Sequence, residues 1–511
     1  MSWLSVPVHM SRLARAGVAL ARAGLPRTLG ISDALPQPVR RLAGWLEAEG
    51  NGDIDQLSHK LVGLGPAYIK LGQFLATRPD IIGLEGAGAL ARLHDRLDAF
   101  AQSDAEAEVE RAFGKAISEV YAAFGPSVAA ASIAQVHRAE VTGGPVAGPV
   151  AVKILRPGVE HRFARDLAGF YFAARAAEFV SAPARRLRPV EAVATLERSV
   201  ELEMDLRLEA AAISEMAENM AEHPEFRVPL VDWGRTSRRV LTTEWIDGIG
   251  LGEDGALAAS GHDLRRLARV LIQMFLSQAL DHGFFHADMH PGNLFVDDDG
   301  RLVAVDFGIM GRLGPKERRF LAEILWGFIT RDYRRTSEVH FEAGYVPARH
   351  TSAEFAQALR AIGEPLAGRR AEEISMAQLL TQLFEVTRQF DMAMRPELLL
   401  LQKTMVVTEG VARQLDPELD MWSTAEPVVG AWLERRLSPE GRMRDAAEGA
   451  ASLGRLVEGL PALFEGAERV ASAFAAAQRG DPETARVKQR EGVPRALWWI
   501  IAAALVVIAL G

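Results

Sequence analysis

Hydrophobic and polar positions alternate with three different rhythms along this chain. Residues 40–125 carry amphipathic helical patterns such as "LGPAYIKLGQFLATRP", closed by Pro79. Strand-like runs follow: "VAAASIAQVHRAEV" and "GPVAVKIL", separated by the Gly/Pro-rich "TGGPVAG", predict a hairpin. The helical period returns from about Phe163 to Met220. A second strand patch, "VPLVDWG" and "RRVLTTEWI", leads into "IDGIGLGED", which reads as a linker. A long helix through "LRRLARVLIQMFLSQALDHG" should stop at Gly283. Two short strands, "NLFVD" and "LVAVD", flank the turn "DDGR", and from Pro315 the chain is helical again.

The two ends differ from the rest. Leu13, Val18 and Leu20 lie among Arg12, Arg15, Arg22 and Arg27, a basic amphipathic pattern suited to an anionic membrane surface or to a solvated helix face. From Ala496 to Gly511 the chain is uncharged, with Trp498 and Trp499 after Lys488, Arg490 and Arg495. As a helix it would reach roughly 24 Å, short of a ~30 Å hydrocarbon core. We read it as a membrane-inserted tail with its basic flank on the cytoplasmic side; a buried oligomerisation helix is the competing use.

The chemistry concentrates in "FFHADMHPGNLFVDDDGRLVAVDFGIM". Asp288 follows the long helix, Asn293 comes five residues later, and Asp306 ends the second short strand. Two carboxylates and an amide drawn together by a hairpin suit a hard cation. Magnesium takes few protein ligands and leaves room for phosphates. Asn293 and Asp306 can supply them, which leaves Asp288 to orient a hydroxyl or water. His286 and His290 have no third ligand for zinc: His286 is expected to brace the loop and His290 to start the Pro-Gly turn. Upstream, Lys153 in "VAVKIL" sits mid-strand among apolar residues, where an ammonium needs an anionic partner. "ELEMDLRLEAA" offers Glu203, Asp205 and Glu209. Asp205 and Glu209 share a helical face, whereas Glu203 and Asp205 cannot both face one ligand unless the helix begins or distorts there.

His-x-Asp-x4-Asn followed by Asp-Phe-Gly resembles the catalytic loop and magnesium loop of kinase-like phosphotransferases, and against that pattern two features depart from ordinary protein kinases. Where a glycine-rich phosphate cover should stand, the chain has Ala129, Ala130, Ala131 and Ser132, which narrow the backbone's freedom. After Asp306 a helix begins within nine residues, so a peptide platform has no room, and Ala287 replaces the usual arginine beside the catalytic aspartate.

Composition narrows the classes further. The chain has 511 residues, 49% of them hydrophobic, enough for two or three domains. A net charge of −9 argues against nucleic acid as a partner, and the absence of cysteine excludes disulfides, thiolate metal sites and cysteine nucleophiles.

Taken in order, "KLGQ" at Lys70–Gln73, "AAAS", "VAVK", "EMD", "HADMHPGN" and "DFG" resemble the UbiB family of atypical kinase-like proteins over roughly residues 55–345. The resemblance implies an α+β, bilobal protein-kinase-like fold with an N-terminal helical extension and a C-terminal helical and membrane tail. The expected parts are an extension (1–100), an N-lobe (101–247), a C-lobe (248–420), a helical region (421–493) and the apolar tail (494–511). It also implies that Lys70 and Gln73 enter the nucleotide site and meet Glu203 or Asp205. Lys153 would pair with Glu209, and the backbone of Glu244, Trp245 and Ile246 would meet adenine. Asp288, Lys153 and Glu209 become the catalytic set, Ala129 to Ser132 the phosphate cover, and Asn293 and Asp306 the magnesium ligands.

The implied cofactors are ATP or ADP with Mg2+. The implied activity is an ATPase or kinase-like step supporting ubiquinone (coenzyme Q) biosynthesis. Its setting would be the inner membrane, with the catalytic domain facing the cytoplasm. Partners would be membrane lipids, polyprenyl quinone intermediates and ubiquinone-biosynthesis enzymes. "HADMHPGN" is also similar to aminoglycoside and choline phosphotransferases, so a small-molecule kinase is the alternative, and a non-catalytic pseudokinase scaffold a third.

Overall fold

A computed structural model of the chain describes residues 63–76, 97–180, 188–253, 255–364 and 396–437, with isolated positions at 60, 61, 90, 185, 386 and 389–392. The basic N-terminal pattern and the apolar tail lie outside the described residues. Among the described residues no helix is long and apolar enough to cross a membrane. The chain divides into two compact units, Met1–Val429 and Gly430–Gly511. All the elements that build the site belong to the first.

The predicted hairpin forms. Strands β1 (Ala123–Ala130), β2 (Ala134–Val141), β3 (Gly148–Leu155) and β5 (Val240–Glu244) make one antiparallel sheet in the order β1-β2-β3-β5. Its register pairs Val136 with Lys153 and Lys153 with Leu241. Alternation along β3 puts Val150, Val152 and Ile154, all fully buried, on one face and Lys153 on the other. The apolar face packs on Ala105 and Val109 of a helix at Gln102–Phe113, with Val120, Tyr121 and Val240. Each such aliphatic side chain contributes roughly 1.5–3 kcal/mol on burial. The sheet is thereby a rigid plate that holds one lysine toward the cleft.

Counting helices from the first described, α1 spans Pro66–Ala76 and α2 is the Gln102–Phe113 helix. The region after β3 folds as α3 (Val159–Val180), α4 (Pro189–Glu203) and α5 (Leu206–Asn219). Helix α1 packs on α3 and α4, with Tyr68 edge-on to Phe170 at 5.1 Å. Helix α5 buries Leu206, Glu209, Ala210, Ile213 and Met216, so the carboxylate of Glu209 lies on the apolar stripe.

The second strand patch is less regular than predicted. Strand β4 is only Phe226–Arg227, and Val231 makes a lone bridge to Thr243. Pro229 has no N–H for a ladder, and Asp232 accepts from the amides of Gly234 and Arg235, curling the chain into a 3-10 turn. The segment read as a linker is a strand in part. Strand β6 (Gly248–Gly250) pairs with β8 (Leu294–Asp297), in a sheet ordered β4-β9-β8-β6 with β9 at Leu302–Ala304. A Cβ at Gly248 would lie 2.7 Å from the Val296 carbonyl oxygen, so the glycine that looked like a linker signal permits close strand pairing.

Helix α6 (Leu264–Ser277) is capped by Asp263, which accepts from the Arg266 amide at 3.0 Å. It ends in a π-turn at Gln278–His282 and stops at Gly283 (φ 63°) as predicted. Strand β7 (Phe284–His286) then pairs with β10 (Met310–Arg312). Helices α7 (Pro315–Ile329), α8 (Tyr333–Glu342), α9 (Ser352–Gly363) and α10 (Pro396–Leu415) follow, α10 lying along α6 and against β10.

Gly283 and Gly114 share a left-handed φ (63° and 65°), but only at Gly283 would a Cβ meet backbone, the Leu313 oxygen at 2.4 Å. Gly114→Ala is expected to cost about 1 kcal/mol in denaturant unfolding, and Gly283→Ala at least about 2 kcal/mol more. Equal losses would show that the crowding at Gly283 is relieved without cost.

Candidate active site

The cleft is organised around one ammonium. Lys153 Nζ donates to Glu209 Oε1 at 2.8 Å and Oε2 at 2.9 Å, and to Asp306 Oδ1 at 2.9 Å. Glu209 is brought in by α5, which is seated by its buried stripe; farther along the helix, Arg312 of β10 grips Glu215 through Nη1 and Nη2, at 2.8 and 2.5 Å, while stacking over Phe284. Asp306 holds a left-handed backbone (φ 60°), a costly conformation for a non-glycine residue of the kind that clusters at functional sites. Its own Oδ1 accepts from the Gly308 amide at 3.3 Å.

Desolvation raises a carboxyl. At Asp306, half open to solvent, the Lys153 ammonium outweighs what desolvation there is and holds the group below the usual carboxylate range. At Glu209 burial prevails. Lys153 pulls the other way, but Asp306 and Glu203 repel the charge, and the group is pushed up to about 7. The Lys153 ammonium, opposed by burial, is held above its ordinary value by Asp306 and Glu209.

The loop that carries Asp288 is braced from several sides. His286 is buried; its Nδ1 accepts from the Asp288 amide at 3.1 Å, so its Nε2 carries the proton and donates to the Val305 carbonyl at 3.2 Å. Burial holds this imidazole below its ordinary pKa and therefore neutral. His290 Nδ1 accepts from the Gly292 amide at 3.0 Å and starts the Pro-Gly turn. Buried Gln278, in the π-turn, accepts from the His286 amide at 3.1 Å. Neither Gln278 nor Thr404 of α10 was singled out from the sequence. The Thr404 hydroxyl is shared between Leu400 O at 2.8 Å and Ala287 O at 3.1 Å, while the Ala287 amide donates to Ile309 O at 3.0 Å. The backbone of Ala287 is thus held by Ile309, just before β10, on one side and by a helix more than a hundred residues downstream on the other.

Asn293 donates through Nδ2 to Asp288 O at 3.0 Å and Asp288 Oδ2 at 3.4 Å, which leaves its Oδ1 as an acceptor for a hard cation. With the half-exposed, ionised Asp306 this is an all-oxygen donor pair, and the residues present fit magnesium. Among the described residues no cluster of three or more His, Asp or Glu could hold a metal ion by itself.

The two acids left open by the sequence part company. Helix α4 ends at Glu203 and α5 begins at Leu206, so the helix breaks between them. Glu203 receives Lys70 of α1 at 2.5 Å. Asp205 caps α5 and is held by Arg207, accepting from its amide at 3.2 Å and from its guanidinium at 2.9 and 2.6 Å. Asp205 is thus engaged as a cap, and only Glu203 meets the extension lysine. Gln73 is half-buried on α1. In the hinge, Glu244 and Trp245 donate their amides to Leu230 O and Pro149 O, Glu244 pairs with Arg227, and Arg138 lies over the Trp245 ring at 5.1 Å. Among the described residues the Ile246 amide alone of these three has no acceptor, so it is the donor open to a base. The alanine-rich stretch ends β1 and turns through Ala131, Ser132 and Ile133 into β2.

Comparison with known proteins places this geometry. Residues 92–340 match the ABC1 atypical kinase-like domain and residues 359–420 the UbiB helical domain. A protein of Marinobacter nauticus named probable protein kinase UbiB is 38% identical over 446 residues, covering 85% of this chain and 81% of its own. The protein of that name from Azotobacter vinelandii is 40% identical over 385 residues, covering 74% and 71%. Among solved structures, the Mycobacterium tuberculosis protein Rv3197 in complex with erythromycin superposes with a TM-score of 0.51 at 25% identity, over 73% of this chain and 95% of that one.

A carboxyl raised to about 7 in the fold, from about 4.5 unfolded, stabilises the protein at low pH, and that contribution is lost as pH rises toward 7. Asp306 is ionised in both states above pH 5 and adds no slope there. Between pH 5 and 8 the wild-type melting temperature should fall more steeply than that of Glu209→Gln. Parallel profiles in calorimetry would place the Glu209 carboxyl in its ordinary range.

Proposed function

The chain belongs to the UbiB family of atypical kinase-like proteins, and from that premise we propose that it is a magnesium-dependent ATP- or ADP-binding ATPase of the kinase class that supports ubiquinone biosynthesis. The observation that carries the reading is the single Lys153 ammonium held between Glu209 and Asp306 within 2.9 Å. That pairing is what a phosphate-gripping lysine needs before its ligand arrives.

The residues then divide the work. Lys153, held in place by Glu209, binds nucleotide phosphates. Asn293 and Asp306 hold magnesium, which when bound neutralises charge developing on the phosphates. Asp288 orients the attacking hydroxyl or water, its carboxylate steadied by Asn293. The Ile246 amide meets the base, and the turn at Ala129–Ser132 covers the phosphates. Ionised Asp306 is available to a cation at any pH above its depressed range, and a cation there competes with Lys153 for it. Site chemistry of this kind has water as its simplest acceptor, because β10 and α7 follow Asp306 directly and occupy the chain where a peptide platform would form.

The proposed setting is the cytoplasmic face of the inner membrane, among anionic lipids and polyprenyl quinone intermediates, with ubiquinone-biosynthesis enzymes as partners. A small-molecule kinase is the second reading. It is favoured by one observation: the similar Mycobacterium tuberculosis protein was solved with a macrolide bound.

Asp306→Asn should lower magnesium-dependent ATP hydrolysis, measured with anionic liposomes present, at least about 100-fold. A deletion strain should show an altered quinone profile that wild type restores and Asp306→Asn does not. An unchanged profile in the deletion strain removes the biosynthetic assignment; labelled phosphate appearing on a small alcohol instead of in solution selects the second reading.

A further inference from the structure

The alanine-rich turn is not left to its own stiffness. Arg156, three residues beyond Lys153 and buried, donates its backbone amide to Ile133 O at 2.8 Å and its Nε to Ala131 O at 2.9 Å. The same guanidinium donates through Nη2 to Asp98 O at 2.9 Å and lies over the Phe100 ring at 5.6 Å. Residues 97–100 lie upstream of α2, on the side of the chain that carries α1 and Lys70. A second tie runs beside the first. Gln135 accepts from the Phe100 amide at 2.9 Å and donates at 2.8 Å to His137 Nε2, while His137 Nδ1 donates to Gly125 O of β1 at 2.9 Å. A long contact, Leu97 N to Ala130 O at 3.4 Å, completes the seam.

We propose that Arg156 is a positioning residue that staples the alanine-rich turn to the strap at 97–100, so that the two move as one piece and the turn's height over the phosphates is set from the extension side. The inference rests on reading that turn as the phosphate cover. Alanines restrict the backbone but do not choose among its remaining conformations. Two turn carbonyls taken by one residue do choose. The forked guanidinium is what allows one side chain to reach Ala131 and Asp98 at once, and a lysine has a single point of charge for the same task. Because Arg156 follows β3 directly, the staple is anchored to the strand that presents Lys153, which fixes the cover and the lysine relative to each other.

The test is amide hydrogen exchange on the full chain, paired with nucleotide kinetics. Loss of a buried charge-assisted bond to each side should speed exchange of the Ala131 and Phe100 amides together by about tenfold in Arg156→Met. The β2–β3 ladder amides should keep their wild-type rates. Arg156→Lys, which preserves charge and fold more closely, should loosen both segments, each less than Arg156→Met does, and serves as the readout if Arg156→Met does not fold. With Mg–ATP, the loss should fall on KM, again by about tenfold, rather than on kcat. The staple is overturned if either variant loosens the turn while 97–100 stays protected in both, or if neither segment responds. Its role toward nucleotide is overturned if kcat carries the loss. A wild-type protein that neither binds nor hydrolyses nucleotide would sink the proposed function alone, since the exchange rates still decide whether Arg156 couples the two segments.

Discussion

One ammonium shared by two carboxylates governs this cleft. A lysine on a buried strand needs an anion, and two anions close together need a cation. Lys153, Glu209 and Asp306 meet both needs from three separate elements. The sheet supplies the lysine, a helix begun afresh at Leu206 supplies the glutamate, and the strained residue after β9 supplies the aspartate. Much of the surrounding architecture holds those three in register. The Val150–Val152–Ile154 face fixes the strand, the buried stripe of α5 seats the helix, and His286 and Gln278 fix the loop that precedes Asn293.

Much of this was legible in the sequence, for a physical reason in each case. The hairpin at β2–β3 combines period-two alternation with a glycine-rich turn. The stop at Gly283 is a left-handed residue that little else tolerates. Lys153 announces itself as a charge in an apolar strand, Glu209 stood among three candidate acids until the family resemblance singled it out, and the early start of α7 is written in Pro315. Glu203 and Asp205 were harder, because their directions depend on where one helix ends and the next begins. Capping by Asp205 decides that break, and an aspartate reads as either ligand or cap without its three-dimensional neighbours. Strand β6 was hidden because glycines that mark linkers also permit close backbone approach.

Other contributors had no sequence signal of their own. Thr404 is one threonine in a helix, and back-bonding to Leu400 is what such a residue does by default. Its contact with Ala287 comes from how α10 lies, which no local pattern records. Arg156 precedes a Pro-Gly pair and looks like an ordinary arginine at a strand end. In both cases the partner is a backbone carbonyl, and carbonyls are invisible to composition and motif alike.

The seat of Ala287 also has a temporal meaning. The loop that carries Asp288 is finished by a hydroxyl at Thr404, well past the end of the kinase-like match at residue 340. A ribosome making this protein releases Lys153, the helix that bears Glu209, and then Asp288, Asn293 and Asp306 before it releases the residue that closes the backbone of the loop. The nascent chain therefore carries every charged group of the candidate site for many residues while the loop at Asp288 lacks that last support.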